Sequence, residues 1–285
     1  MTPFRFIYSL IGITISIYLI YYISQKYNVL DGLFSRGDIK TKDIIFFMFL
    51  YSLALFLKSL RYLFIISSEK LKVYAKGYYI GNFLNLFIPF RIGDISRIFM
   101  FTNIISKAEN LKLVLIEKII DLGLMIFFLV LVFLISEKFN LLLNYYEFVV
   151  LILIILILPI IYFNLLRPLT VLIISIIAWA IEGIASAYFL LIVLDLKFIE
   201  GFSFMPITTI STLIPSAPGY IGVINWAMIS WAEFLEVSNS SIGSIAFEIY
   251  ILTWVSTFLF GLFSILSVKS ELRLFLAGFF KREIK

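Results

Sequence analysis

Residues 85–97, Asn-Leu-Phe-Ile-Pro-Phe-Arg-Ile-Gly-Asp-Ile-Ser-Arg, set two guanidinium groups and a carboxylate around a proline and a glycine, inside a chain that is 62% hydrophobic. Pro89 ends a helix, and the helix that starts after it has free backbone N–H groups in its first turn. Arg91 and Arg97 flank Gly93 and Asp94 at that start. A guanidinium fork matches phosphate oxygens and stays charged at every relevant pH. Glycine lets a head group come close to the backbone, and a helix N-terminus favours an anion. The spacing offers anion capture, with Arg91 and Arg97 holding phosphate and Asp94 orienting them. A plainer reading also fits, in which one arginine pairs with Asp94 and snorkels to an interface.

Further charges recur within apolar stretches. Glu117 and Asp121 stand at i and i+4, on one helix face, with Lys118 beside them. Such acids should turn toward other helices, where they bond to Arg61, Arg91 or Arg97, relay protons, or form a structural ion-pair network. Lys58 and Arg61 could reach the same cluster or snorkel, and Glu182 and Glu248 are two more intramembrane acids. The bases (Lys58, Arg61, Arg91, Arg97, Lys118) balance the acids (Asp94, Glu117, Asp121, Glu182, Glu248), which suits a paired polar core better than a one-sign pore. A second break, Pro215-Ser-Ala-Pro-Gly-Tyr-Ile-Gly222, offers backbone N–H groups, Ser216 and the Tyr220 ring, with Pro218, Gly219 and Gly222 shaping the turn. It reads as a gate or a head-group cradle, or else as a plain loop between helices.

The elements that must position these groups follow from composition. A mean hydropathy of +1.07 with 14% charged residues, and apolar runs near the roughly 20 residues that cross a bilayer, make this an all-α polytopic membrane protein. Its 285 residues read as a single membrane domain. Spans are expected near 6–23, 44–66, 77–105 (broken at Pro89), 111–135, 148–166, 169–194, 202–232 (broken at Pro215 and Pro218) and 242–268. The first is too long for a signal-peptide core and is read as retained. Each broken stretch is about 30 residues, short for two spans and long for one. Re-entrant hairpins fit both, giving six full spans, whereas counting the broken stretches as spans gives eight. With six, Lys269, Arg273, Lys281, Arg282 and Lys285 place both termini in the cytoplasm, although Lys26, Arg36, Lys40 and Lys42 in the first outer loop count against this.

The two breaks are alike: Ile-Pro89-x-x-x-Gly93 against Ile-Pro215-x-x-x-Gly219, with Asn85 and Asn82 upstream of one and Ser211 and Thr208 upstream of the other. Hairpins entering from opposite sides would make an inverted repeat with a site near the midplane. The absence of cysteine and histidine excludes disulfides, thiolate or imidazole metal sites and cysteine or serine–histidine catalysis, and no metal or cofactor is expected. The net charge of +5 comes from bases flanking apolar spans, so it reports orientation and anionic lipid contact, not nucleic acid.

At these residues the chain resembles the lysylphosphatidylglycerol synthase transmembrane-region family, or flippase-like domain proteins, with archaeal members linked to dolichol-phosphate-dependent glycosylation. The resemblance rests on Leu60-Arg61-Tyr62, on Gly81-Asn82 through Pro89-x-Arg91-x-Gly93-Asp94-x-x-Arg97, on Glu117-Lys-Ile-Ile-Asp121 and on Pro215-x-x-Pro218-Gly219-x-x-Gly222-Val223, and is expected to cover nearly the whole chain. The family pattern usually has arginine where Lys118 stands and glutamate where Asn225 stands. In the bacterial multiple peptide resistance factors, the same region is joined to a cytosolic aminoacyl-transferase domain and is thought to move the modified lipid between leaflets. Only 269–285 follow the last span here, too few to form such a unit.

The resemblance implies a multi-pass cell-membrane lipid translocase for an anionic phospholipid or polyprenyl phosphate, more transporter than enzyme. Arg61, Asn82, Asn85, Arg91, Gly93, Asp94, Arg97, Glu117, Asp121, Ser216, Gly219 and Tyr220 would meet the lipid, and Pro89, Pro215, Pro218 and Gly222 would open the helices. The alternatives are an integral membrane transferase and an accessory subunit of a separate lipid-modifying or glycosyltransferase enzyme.

Overall fold

The computed structural model of the chain describes residues 3–27, 40–89, 91–135, 167–237 and 241–267, and these are helical with short connections. The expected span at 148–166 and the basic C-terminal tail lie outside the described residues. The helices are α1 (Pro3–Lys26), α2 (Thr41–Ser59), α3 (Ser68–Phe87), α4 (Ile92–Phe99), α5 (Lys107–Ile135), α6 (Arg167–Leu194), α7 (Phe198–Ser211), α8 (Val223–Phe234) and α9 (Ile242–Leu266). By length and composition, the stretches Lys107–Ile135, Leu169–Leu194 and Ile242–Leu266 can cross a membrane. On α5, Leu111, Leu115, Ile119 and Leu122 are all exposed. Their spacing makes one outward apolar stripe, as a helix facing lipid requires.

Both proline breaks reverse the chain. In the first, α3 and α4 lie antiparallel, with the Asn85 side-chain oxygen accepting from the Gly93 N–H at 2.8 Å. A Cβ on Gly93 would come 1.9 Å from the Gly81 carbonyl oxygen, so the hairpin closes only because that residue has no side chain. Arg91, the residue between the arms, has φ 51°, a left-handed conformation that non-glycine residues adopt mainly where the surroundings enforce it. In the second, α7 and α8 also return on themselves, and the Trp231 indole donates to Ser203 Oγ at 2.6 Å. With 14 and 12 residues, these arms reach about 21 and 18 Å, each less than the roughly 30 Å hydrocarbon layer.

The two hairpins open toward opposite ends of the bundle. Lys70 meets Glu109 at 2.8 Å, and the Tyr62 hydroxyl donates to the Leu113 carbonyl. The first hairpin therefore opens where α2 ends and α5 begins. At the other end, Lys26 at the close of α1 meets Glu233 at the close of α8, and Phe133 near the end of α5 packs on Trp231. The turns meet inside the molecule: α3 touches the 3-10 turn Pro218–Tyr220, and a Cβ on Gly219 would sit 3.2 Å from the Leu86 carbonyl oxygen.

Below the level of whole hairpins, the likeness of the two breaks ends. The first spans residues 88–91, while the second runs from 212 to 222 and contains the 3-10 turn. Asn85 ties its hairpin shut, but Ser211, its counterpart in the motif, donates to its own helix at the Thr208 carbonyl. Gly93 is needed for close approach. Gly219 is needed for its φ of 69°.

Candidate functional site

A cavity of about 430 Å³ lies where the hairpin turns meet, walled also by α2, α5, α6 and α9. Its charged wall residues are Lys58, Arg91, Asp94, Glu117, Lys118, Asp121 and Glu182.

Each of these acids is matched by a base. Arg97 donates to both oxygens of Glu117, at 2.9 and 2.8 Å, and the Tyr74 hydroxyl adds a third hydrogen bond at 2.6 Å. Glu117 is buried, and this bidentate pair and its phenol offset the cost of placing a carboxylate there. Lys118 reaches Asp94 at 3.0 Å and Glu117 at 3.4 Å. Arg61 holds Asp121 at 3.0 Å, and the Trp179 indole donates to the same oxygen at 2.7 Å. Lys58 donates to Glu182 at 2.5 Å, its ammonium against the Trp179 ring.

Arg91 differs. Among the described residues it has no carboxylate partner. Its Nη2 donates to the Thr212 hydroxyl across the junction of the two hairpins, its guanidinium stands 5.8 Å from the centre of the Tyr220 ring, and its buried Nε has no partner.

Of the residues singled out from sequence, the structure brings Asn82, Asn85, Arg91, Asp94, Glu117, Asp121, Gly219 and Tyr220 to the cavity wall. Arg61, Gly93, Arg97 and Ser216 are elsewhere. Arg97 was expected to hold phosphate beside Arg91; instead its guanidinium is buried behind the wall and taken up by Glu117. Arg61 likewise stands behind Asp121. Ser216 is buried, and the Ala217 N–H beside it donates to Ser16 Oγ of α1 at 2.8 Å, so this part of the second turn is braced by α1. Pro89 and Pro215 stand in the connections after α3 and α7, Pro218 opens the 3-10 turn, and Gly222, with φ 84°, precedes α8.

Lys58 and Glu182 stand out in the sequence as charges within apolar stretches, but nothing in it puts them in the cavity wall. Tyr51, Trp179, Thr212, Tyr250 and Trp254 also line the cavity, and nothing in their spacing separates them from the aromatic and hydroxyl residues that face lipid. Asn225, where the resemblance leads one to expect glutamate, is fully buried. Its oxygen accepts from the Gly222 N–H and its amide donates to the Ala246 carbonyl, each at 3.1 Å, so it ties the second hairpin to α9. A charged carboxylate could accept the first bond but not donate the second.

No curated protein and no solved structure matches the chain. The model for the lysylphosphatidylglycerol synthase TM region matches residues 9–170. That stretch carries the first hairpin, the Glu117 to Asp121 helix and all the bases of the cluster, but it stops before the second hairpin, so the match is narrower than the whole-chain likeness read from sequence. With more than half of its length matched, this chain belongs to the lysylphosphatidylglycerol synthase TM region family, membrane proteins of lipid-related function.

Proposed function

We propose that this protein is a lipid translocase that takes the anionic head group of a phospholipid or polyprenyl phosphate into the cavity and passes it between leaflets. The observation that carries the reading is Arg91, a cation with no carboxylate partner among the described residues, held in a left-handed backbone conformation at the junction of two opposed hairpins. An uncompensated charge in low-dielectric surroundings is costly, and an arriving phosphate relieves that cost while accepting hydrogen bonds from the guanidinium. The other charges fix the frame: Arg97 and Lys118 hold Glu117 and Asp94, and Arg61 holds Asp121.

In this reading α1, α2, α5, the stretch 148–166, α6 and α9 cross a cell membrane. The two hairpins are re-entrant, both termini are cytoplasmic, and the site faces each side in turn as one hairpin opens against the other. The cavity's acids are each held in an ion pair, which favours transport over a transferase that uses one of them as its base.

Reconstitution in liposomes with labelled phosphatidylglycerol and polyprenyl phosphate tests the reading. Wild type is expected to move at least one of them between leaflets. Arg91→Ala should slow this roughly ten- to a hundredfold, the equivalent of one charged hydrogen-bonded contact, with Arg91→Lys between the two. Equal transport by all three would remove the site. Transport of neither lipid would favour an accessory role beside a separate lipid-modifying or glycosyltransferase enzyme.

A further inference from the structure

The cavity is much larger than a phosphate group. At about 430 Å³ it is many times the space that a single small group needs, so a phosphate at Arg91 leaves most of it unfilled. The chemistry of the remaining wall shows what belongs there. A cationic head group, such as an ethanolamine or an aminoacyl ester, needs an acid that is not already matched. None is offered to the cavity: Glu182, Asp121, Glu117 and Asp94 are held by Lys58, Arg61, Arg97 and Lys118 respectively, and the one buried wall carboxylate oxygen without a hydrogen bond among the described residues, Asp94 Oδ1, stands 3.8 Å from Arg97. A purely apolar group would leave polar atoms stranded. The side-chain amide of Asn82, the Tyr250 hydroxyl and the Trp254 indole N–H all belong to the wall and make no hydrogen bond to the described residues. Two of them converge, since a Cβ on Gly219 would be 2.8 Å from the Tyr250 hydroxyl oxygen and 3.4 Å from Trp254 Nε1. Gly219 itself belongs to the turn that faces Arg91 through Tyr220.

Unmatched neutral donors beside an uncompensated cation are what a hydroxyl-bearing phosphodiester would satisfy. Resting on the translocase reading above, we propose that the head group is a phosphodiester bearing a neutral polyhydroxylated group, a sugar or polyol. Its phosphate lies at Arg91, and its hydroxyls take up Asn82, Tyr250 and Trp254. Indole and phenol rings offer the apolar faces of a sugar or polyol ring a surface, and the amide both accepts and donates. The charge pairing of this wall disfavours an aminated head group, which would have to displace the buried Lys58 from Glu182 and leave that cation without a partner.

Equilibrium binding to the purified protein in phosphatidylcholine nanodiscs tests this, with four probes of equal acyl chains: phosphatidylinositol, phosphatidylmethanol, phosphatidylethanolamine and lysylphosphatidylglycerol. A polyprenyl phosphate bearing a neutral hexose is a fifth probe and separates a sugar from a lipid polyol as the source of the hydroxyls. Phosphatidylinositol or the hexose lipid should bind about tenfold more tightly than phosphatidylmethanol, the effect of two or so neutral hydrogen bonds, and more tightly than either aminated lipid. Asn82→Ala and Trp254→Phe should each remove much of that advantage, bringing the affinity for phosphatidylinositol or the hexose lipid toward that for phosphatidylmethanol, whereas Arg91→Ala should weaken every phosphodiester. If an aminated lipid binds as tightly as the polyhydroxylated ones, or phosphatidylmethanol equals them, the head-group assignment is wrong while the phosphate site stands. If Arg91→Ala changes none of the affinities, or no lipid binds, the translocase site itself fails.

Discussion

Two arginines six residues apart in sequence divide their labour, and the division decides which of them a ligand can meet. Arg97 falls on the inner face of α4, where Glu117 of α5 takes both its nitrogens; Arg91 is turned into the cavity by its left-handed backbone. Breaking a buried pair from one side strands a charge. Arg97→Ala or Glu117→Ala should therefore cost about 3–5 kcal/mol, while the Arg97→Met/Glu117→Leu double substitution should recover most of it. Thermal unfolding in detergent, alongside lipid binding, separates the two roles: Arg97 variants should lose stability first and Arg91 variants affinity alone. The residue types of the proposed anion site are legible in the sequence, because arginine, aspartate and glycine are conspicuous in an apolar chain. Their sorting is not, since it depends on a partner 20 positions away and on one backbone torsion. Trp179 and Trp254 were hidden for the opposite reason: in a chain that is 18% aromatic, an indole in the wall resembles one in lipid.

At the scale of elements, the first hairpin depends on a single contact without side chains. Gly93→Ala would put a methyl group 1.9 Å from the Gly81 carbonyl oxygen and 2.6 Å from the Asn85 amide oxygen, both held by the hairpin itself. It should abolish folded, monodisperse protein on size-exclusion chromatography. Gly77→Ala, on the same α3 but with nothing within 4 Å of the new carbon, should be tolerated or stabilise the helix by up to about 1 kcal/mol.

Another link ties α1 to α8. The Glu233 carboxylate is held below its ordinary range by the Lys26 ammonium and the Tyr27 hydroxyl, and hydrogen bonding to Glu233 raises Lys26. Both side chains of the ion pair are more than a third exposed, so Glu233→Gln should cost under about 1 kcal/mol at pH 7. A depressed carboxylate contributes above its unfolded pKa, about 4.3, and loses that contribution as pH falls through its folded value. The raised lysine contributes below about 10.4 and loses its share as pH rises through its own. The Glu233→Gln difference should therefore be flat between these limits and vanish in acid, as melting curves across pH would show. Element boundaries were partly legible. Pro89 and Pro215 mark both reversals, yet α3 begins at Ser68, nine residues before the expected start. Lys70, Lys72 and Lys76 made that stretch look extramembrane, whereas Ser67 caps a helix there.

For the whole molecule, opposed hairpins make a geometric demand that does not depend on the ligand. Because α7 and α8 return to the end where they began, Lys197→Cys and Glu236→Cys in this cysteine-free chain should be labelled by an impermeant maleimide from one side of the membrane. Lys107→Cys should be labelled from the other. Labelling of positions 197 and 236 from opposite sides would mean that α7 and α8 cross the membrane together as one broken span. The likeness of the two breaks gave the arrangement its outline, since a proline reverses or interrupts a helix wherever it falls. It did not give the interior, because the second turn is long, braced by α1 and packed against α9, contacts that no short motif encodes. If a lipid phosphate completes the charge at Arg91, cryo-electron microscopy of the protein in nanodiscs loaded with phosphatidylinositol should show phosphate density within hydrogen-bond distance of the Arg91 guanidinium, between the two turns. Head-group density confined to the helix ends, with Arg91 still bonded only to Thr212 and Tyr220, would contradict the proposal.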